Sequence, residues 1–263
     1  MREIFEIYKY FSDKRYSTIS GTLVYFLLMS VTPFLFWLAL LAGNVDFALI
    51  IPEEVFSAVA PTIVYLQSAA HHATGSAGII LLLTSLWSST NFFYHLKRSG
   101  EIIFDAEAPK SGFKLRVKSL FAVLSAILLV ALTAAVPIFT SGVLTFIMPF
   151  YLAQLITFIF LIMFAFFIAY FLNVFACPRR LGFENTVGGV TLTVILWIIF
   201  GVGFTFYLRF ADPQKLYGAI AAVIVFLLWS YLMINSLVVG IMYNAKYSPL
   251  REVRPKPLRL FEY

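Results

Sequence analysis

Residues 119–172 read SLFAVLSAILLVALTAAVPIFTSGVLTFIMPFYLAQLITFIFLIMFAFFIAYFL, a stretch without a single Asp, Glu, Lys, Arg or His. An α-helix rises 1.5 Å per residue, so about 20 residues cross a hydrocarbon layer of about 30 Å. The stretch therefore holds two crossings, 119–139 and 147–172, joined by an uncharged turn at Ser141-Gly142. A backbone with no water to bond must satisfy itself, and a helix does so within one segment.

Working outward, the same test finds four more crossings: 21–43, 76–95, 187–208 and 217–243. Pro33 interrupts the first, where a neighbouring helix or a Ser/Thr side chain can satisfy the freed carbonyl, and Ser30 and Thr32 are at hand. The chain has 263 residues, of which 61% are hydrophobic and 12% charged, with mean hydropathy +0.91. Soluble domains carry about 25% charged residues. The expected fold is all-α: one polytopic membrane domain over 1–263, with six transmembrane helices plus interfacial amphipathic helices. Disorder, a nucleic-acid-binding domain and an ordinary cytosolic enzyme are excluded. The first apolar run starts near Leu23 and exceeds a 7–15-residue signal core, so it reads as a retained crossing.

Charge sorts along this frame. Residues 1–20 place Ile4, Phe5, Ile7, Tyr8 and Phe11 on one helical face beside basic residues, a pattern for an amphipathic helix on the membrane surface. With six crossings, 17 of the 19 lysines and arginines fall on the side of both termini: in 1–20, the loop 97–118, Arg179-Arg180 and the basic tail 244–263. Only Arg209 and Lys215 fall on the other side. Positive loops remain in the cytoplasm, so both termini are expected there. The net charge of +6 is then a topology signal, and it favours anionic lipid headgroups as partners. Nucleic acid is not expected as a partner, and the sequence leaves homo-oligomerisation open. Residues 44–74 are acidic and too polar to span, so they read as interfacial or re-entrant.

Chemistry-bearing patterns are sparse. There is no phosphate-binding Gly-rich loop, no His-Glu-x-x-His and no Gly-x-Ser-x-Gly. The one cysteine, Cys177, forms no intrachain disulfide, and His71, His72 and His95 make no histidine-rich centre. No cofactor, metal or catalytic set is expected. His95 has Glu101 and Asp105 near it in sequence, a weak arrangement for a triad. No charged residue sits in the middle of a span, which disfavours a carboxylate-driven pump. What remains is neutral and polar: Ser85, Ser88, Ser89, Thr90 and Asn91 on the second span, and Asn235 and Ser236 on the sixth. They read either as interhelical hydrogen bonds or as a polar groove between spans two, five and six for a headgroup or small solute. Arg209, at the outer end of span five, is a snorkelling side chain, an anion contact at the groove's mouth, or a partner of Asp212, Glu53 or Glu54.

Particular phrases resemble the YihY/BrkB family of bacterial membrane proteins. In the first span these are Tyr25, Ser30 and Pro33; in the last two they are Phe204 and Tyr207, Tyr217-Gly218, Trp229 and Tyr231, and Gly240 and Asn244. Met242 stands where the family commonly has an acid, and Val187-Gly188 where it has Pro-Gly. The resemblance implies a bacterial inner-membrane protein of about six spans, of a family whose members carry names such as ribonuclease BN-like and virulence factor. Three functions remain: a non-ATP-driven transporter or lipid-handling protein, a non-catalytic envelope scaffold, and an enzyme in keeping with the ribonuclease name.

Overall fold

The computed structural model describes residues 9–42, 84, 87–106, 112–140, 147–178, 181–211 and 221–247. The acidic segment 44–74 with His71 and His72, most of the second span including Ser85, Arg179-Arg180, Lys215, Tyr217-Gly218 and the tail beyond 247 lie outside the described residues.

Six long helices account for most of the described chain, and no strand occurs among the described residues: α1 Tyr16–Ala42, α2 Asn91–Ile103, α3 Gly112–Phe139, α4 Phe150–Ala176, α5 Phe183–Ala211 and α6 Ala221–Tyr247. The fold is all-α. Four stretches are long and apolar enough to cross a membrane: Gly112–Pro137, Phe150–Ala176, Phe183–Ala211 and Val223–Tyr247. Tyr16–Ser30 adds a shorter apolar helix. These helices are apolar on their outer faces too. Phe121, Leu128, Phe158, Phe167, Ile199 and Val202 are all exposed, a costly surface in water and a favourable one in lipid.

The helices overrun the ends that hydropathy marks. The interval 97–118, expected as a loop, is helical over 97–103 and again from 112. Residues 16–20, expected within a surface helix, belong to α1. The piece that precedes α1 is a short helix at 9–13, and its Tyr10 and Phe11 pack on the bundle core. Arg15 separates it from α1 with φ 50°, and Asp105 takes the same left-handed φ of 50° after α2. Such a backbone is uncommon for residues with a Cβ. Next to both strained positions, Lys14 Nζ donates to the two Asp105 carboxylate oxygens at 2.5 and 2.6 Å.

The core has two parts. The larger joins Leu23 of α1, Leu96 and Ile103 of α2, Ala176 of α4, and Leu237 and Ile241 of α6, all nearly inaccessible. The smaller joins Ala169 of α4 to Val190 and Val194 of α5. Small residues let backbones touch. A Cβ on Gly100 of α2 would overlap the Ala176 carbonyl of α4, and one on Gly240 of α6 would overlap the Thr193 hydroxyl of α5. The sequence offers other small-residue faces, Gly201 with Thr205 and Gly218 with Ala222. At Gly201 an added Cβ would meet only the Trp229 ring, at an ordinary 3.7 Å.

Candidate functional site

The second span is broken where its polar run ends. Residues 87–89 are helical, Thr90 is a turn, and α2 restarts at Asn91. In an unbroken helix the Phe92 N–H would bond the Ser88 carbonyl. Here the Ser30 hydroxyl of α1 stands between them. It accepts from the Phe92 N–H at 3.1 Å and faces the Ser88 carbonyl at 3.2 Å and the Phe26 carbonyl at 2.8 Å, sharing one proton between the two. A side chain inserted into the ladder is one of the few causes of a sharp helix break.

The repair is mutual. Pro33 has no N–H, so the Met29 carbonyl lacks its helical donor. The Ser88 hydroxyl donates to it at 3.1 Å. Of the two sources the sequence left open, a neighbouring helix or the nearby Ser30 and Thr32, the donor seen is Ser88 of the neighbouring span. Ser30 itself is spent on the break in span two.

Arg116 of α3 closes the other side of the break. Its Nη1 donates to Asn91 Oδ1 at 2.6 Å and to Thr90 Oγ1 at 3.1 Å. The guanidinium carbon lies 4.6 Å from the Trp87 ring centroid and 4.2 Å from that of Tyr94, which is cation–π range on both sides. Arg116 belongs to neither of the ion pairs Lys14–Asp105 and Arg98–Glu101, and its partners among the described residues include no carboxylate.

Below the break lies an apolar cavity of about 280 Å³, near the lower end of ligand-pocket sizes, about 300 Å³. Ser30, Ser89, Phe92 and Phe93 form its wall at the break, Val123, Ala126 and Val130 come from α3, and Ile168, Phe171 and Leu172 from α4. Leu129 and Phe171 also line a recess on the outside of α3 and α4, together with Phe167, Tyr170, Val174 and Phe175. Leu129 and Phe171 thus border both the cavity and the recess.

The structure divides the expected groove residues among separate places. Ser88, Ser89 and Asn91 meet at the break. Asn235 accepts from the Ser20 hydroxyl of α1 at 3.0 Å, ten residues or about 15 Å of helix from Ser30. Arg209 is exposed near the far end of α5, about 30 Å of helix beyond Gly189. The family-like residues serve packing. Phe204 stacks on Tyr207 and Trp229, the latter at 4.9 Å. The Tyr231 hydroxyl meets Ser17 at 3.1 Å, and Tyr25 is exposed. Asn244 accepts from the Gly189 N–H at 2.8 Å and donates to Asn173 at 3.1 Å. Met242 is fully buried in the apolar core, a position where a carboxylate would need a partner.

The weak triad of the sequence does not assemble. His95 stacks on Phe26 with ring centroids 3.4 Å apart, Glu101 pairs with Arg98 at 2.8 Å, and Asp105 pairs with Lys14. No cluster of three or more His, Cys, Asp or Glu able to hold a metal ion occurs among the described residues.

Lys97 reaches across from α2 to donate to the Cys177 carbonyl at the end of α4, a cation at a helix C-terminus. Burial pushes its ammonium below lysine's ordinary 10.5, and repulsion from Lys118 adds to that against the opposing pull of Cys177 and Glu101. Below the lowered pKa the buried charge costs stability; as pH rises toward 10.5 the folded state loses this proton before the unfolded state does, and the cost fades. Thermal scans against pH should therefore show wild type gaining on Lys97→Met through the alkaline range. A wild type that loses ground there would mean the site favours the cation.

One residue of the site escaped the sequence reading: Arg116 counted only as one of the basic residues of 97–118. Ser30 stood out beside Pro33 and among the family-like residues, but its partners on the second span did not. A partial signal existed: Arg116 falls just inside an apolar helix, where a cation is expensive enough to need a reason.

Comparison with known proteins agrees with the resemblance. A family model described as Virulence factor BrkB matches residues 7–259. The "Putative ribonuclease-like protein YfkH" of Bacillus subtilis (strain 168) is 26% identical over 245 residues, covering 86% of this chain and 88% of that protein. No solved structure matches the chain. With the family model spanning nearly its whole length and four of its helices long and apolar enough to cross a membrane, this chain is an integral membrane protein of the BrkB family.

Proposed function

We propose that the protein is a non-ATP-driven, lipid-handling protein of the bacterial inner membrane, which admits a lipid acyl chain between α3 and α4 into the apolar cavity. The observation that carries this reading is the shared wall: Leu129 and Phe171 border both the cavity and the lipid-facing recess. An apolar cavity that shares its wall with that recess suits a hydrocarbon chain, and the polar break at its end suits the more polar part of the same molecule.

The proposed topology has six crossings with both termini in the cytoplasm. Its support is that Lys14–Asp105, Lys97–Cys177, Lys246–Tyr10 and Asn244–Gly189 gather alternate helix ends at one end of the bundle. Lys14, Arg15, Lys97, Arg98 and Lys246 lie on the segments joined there, whereas Arg209 lies at the other end of α5 from Gly189. The proposal includes no catalytic role. The separate engagement of His95, Glu101 and Asp105 supports that, and the name of the Bacillus subtilis relative is left to that protein.

The test is lipid movement in vesicles containing the full chain, read by bleaching of a fluorescent phospholipid from outside. Wild type should exceed protein-free vesicles, and Ala126→Trp, which fills the cavity from α3, should return the rate to the protein-free level. Wild-type vesicles no faster than empty ones, or a folded Ala126→Trp as fast as wild type, would remove the reading.

A further inference from the structure

We infer that Arg116 is the headgroup contact of this site, binding the phosphate of an anionic amphiphile whose chain lies in the apolar cavity. The inference rests on the lipid-handling reading and adds the ligand's charge and the residue that reads it.

Four observations converge. Arg116 has two aromatic faces and two neutral oxygen acceptors as partners, and no described carboxylate pairs with it. The guanidinium carbon lies over both the Trp87 and the Tyr94 ring, while Asn91 and Thr90 take Nη1 alone. The remaining edge, Nε and Nη2, is the part of the fork that grips a phosphate or carboxylate with two parallel bonds. Lys118 lies within one turn along the same helix, so it adds to Arg116 a positive charge that favours a net anion over a zwitterion. Finally, Val123 and Val130 of the cavity wall follow Arg116 at seven-residue intervals, on the same face of α3. Seven residues are about 10 Å, so a phosphate at Arg116 would trail its chain into the cavity. A residue that merely caps the break would need neither the aromatic clamp nor this register.

The experiment is native mass spectrometry of the full chain in detergent, titrated with phosphatidylglycerol, with phosphatidylcholine, and with phosphatidylglycerol in the presence of inorganic phosphate. Wild type should retain phosphatidylglycerol over phosphatidylcholine by about tenfold, because both lipids offer a phosphate but only the zwitterion brings a choline cation into the positive field at Arg116. Arg116→Gln should weaken binding of both lipids and lower the preference, and Arg116→Lys should keep part of it. Displacement by inorganic phosphate would identify the phosphate alone as the ligand; failure to displace would identify the anchored headgroup. Both support an anion site at Arg116.

A wild type without preference, or a folded Arg116→Gln with full preference, overturns the inference. If Arg116→Gln does not fold, the wild type decides it: its preference must fall with added salt, and a salt-independent preference overturns the inference. Ala126→Trp separates this inference from the reading beneath it. Loss of both lipids in that variant supports the cavity, so a missing headgroup preference then fails alone. Unchanged binding of both lipids fails the cavity reading itself.

Discussion

Gly240→Leu will prevent the protein from folding stably, and Gly240→Ala will lower its stability by several kcal/mol. At Gly240 the α5 and α6 backbones touch. A Cβ there would overlap the Thr193 hydroxyl and lie 2.5 Å from the Gly189 carbonyl oxygen. Neither obstacle is the free end of a long side chain. Thr193 is fully buried and its hydroxyl donates back to the Gly189 carbonyl at 2.8 Å. To accept even a methyl group the two helices must separate. Overpacking alone costs about 1–3 kcal/mol. Separation also stretches the buried bond from the Gly189 N–H to Asn244, which continues to Asn173 and from there to the Ala169 carbonyl. An orphaned buried amide adds about 1–3 kcal/mol.

Thermal unfolding of the full chain in detergent measures the effect, with Gly201→Ala as the control on the same helix pair. Its added Cβ meets only the Trp229 ring at 3.7 Å, so its stability should stay within about 0.5 kcal/mol of wild type. Equal losses in the two variants would mean that the close backbone contact at Gly240 does not set the result, since alanine's better helix propensity cannot account for a loss at either position. A double variant with Thr193→Ala should recover part of the loss, because it removes one obstacle and leaves the Gly189 carbonyl.

This junction shows what a linear reading reaches. The membrane spans were legible because hydrophobicity is a local property, and a run such as 150–176 has no alternative but to cross or to be buried. Helix ends were less so. Hydropathy falls where water begins, yet the backbone of α2 stays helical through Lys97, Arg98 and Glu101, and α3 is helical from Gly112, several residues before its charge ends. The touching pair Gly189 and Gly240 is 51 residues apart, so no period within either helix marks it. The small-residue faces visible in sequence included Gly201 instead, which faces open space and an aromatic ring. The candidate site was half legible. The polar density of Thr84 to Asn91 marked the right stretch, but the partners of that stretch depend on how α1 and α3 are set against it. Asn235 and Arg209 were drawn to it by residue type alone.

Ser30→Ala tests the break itself. The Ser30 hydroxyl is the only described acceptor for the Phe92 N–H, and Phe92 is buried at 7% exposure. Alanine removes that acceptor and the donor facing the Ser88 carbonyl. Two responses are open to the chain. If the break is fixed by its surroundings, both groups are orphaned, and stability drops by about 1–3 kcal/mol. If Ser30 alone forces the ladder apart, the Phe92 N–H closes onto the Ser88 carbonyl and the cost nearly vanishes. The surroundings favour the first. Thr90 Oγ1 bonds the Trp87 carbonyl at 2.7 Å, Arg116 holds Thr90 and Asn91 from α3, and the Ser88 hydroxyl is tied to Met29. Closing the ladder would have to pull all of these away. The expected result is therefore a destabilised Ser30→Ala with faster hydrogen exchange at the Phe92 amide, while amides on α5 exchange as in wild type. Slower exchange at Phe92 with unchanged stability would mean the helix had healed, and the break would then belong to Ser30 rather than to the site built around it.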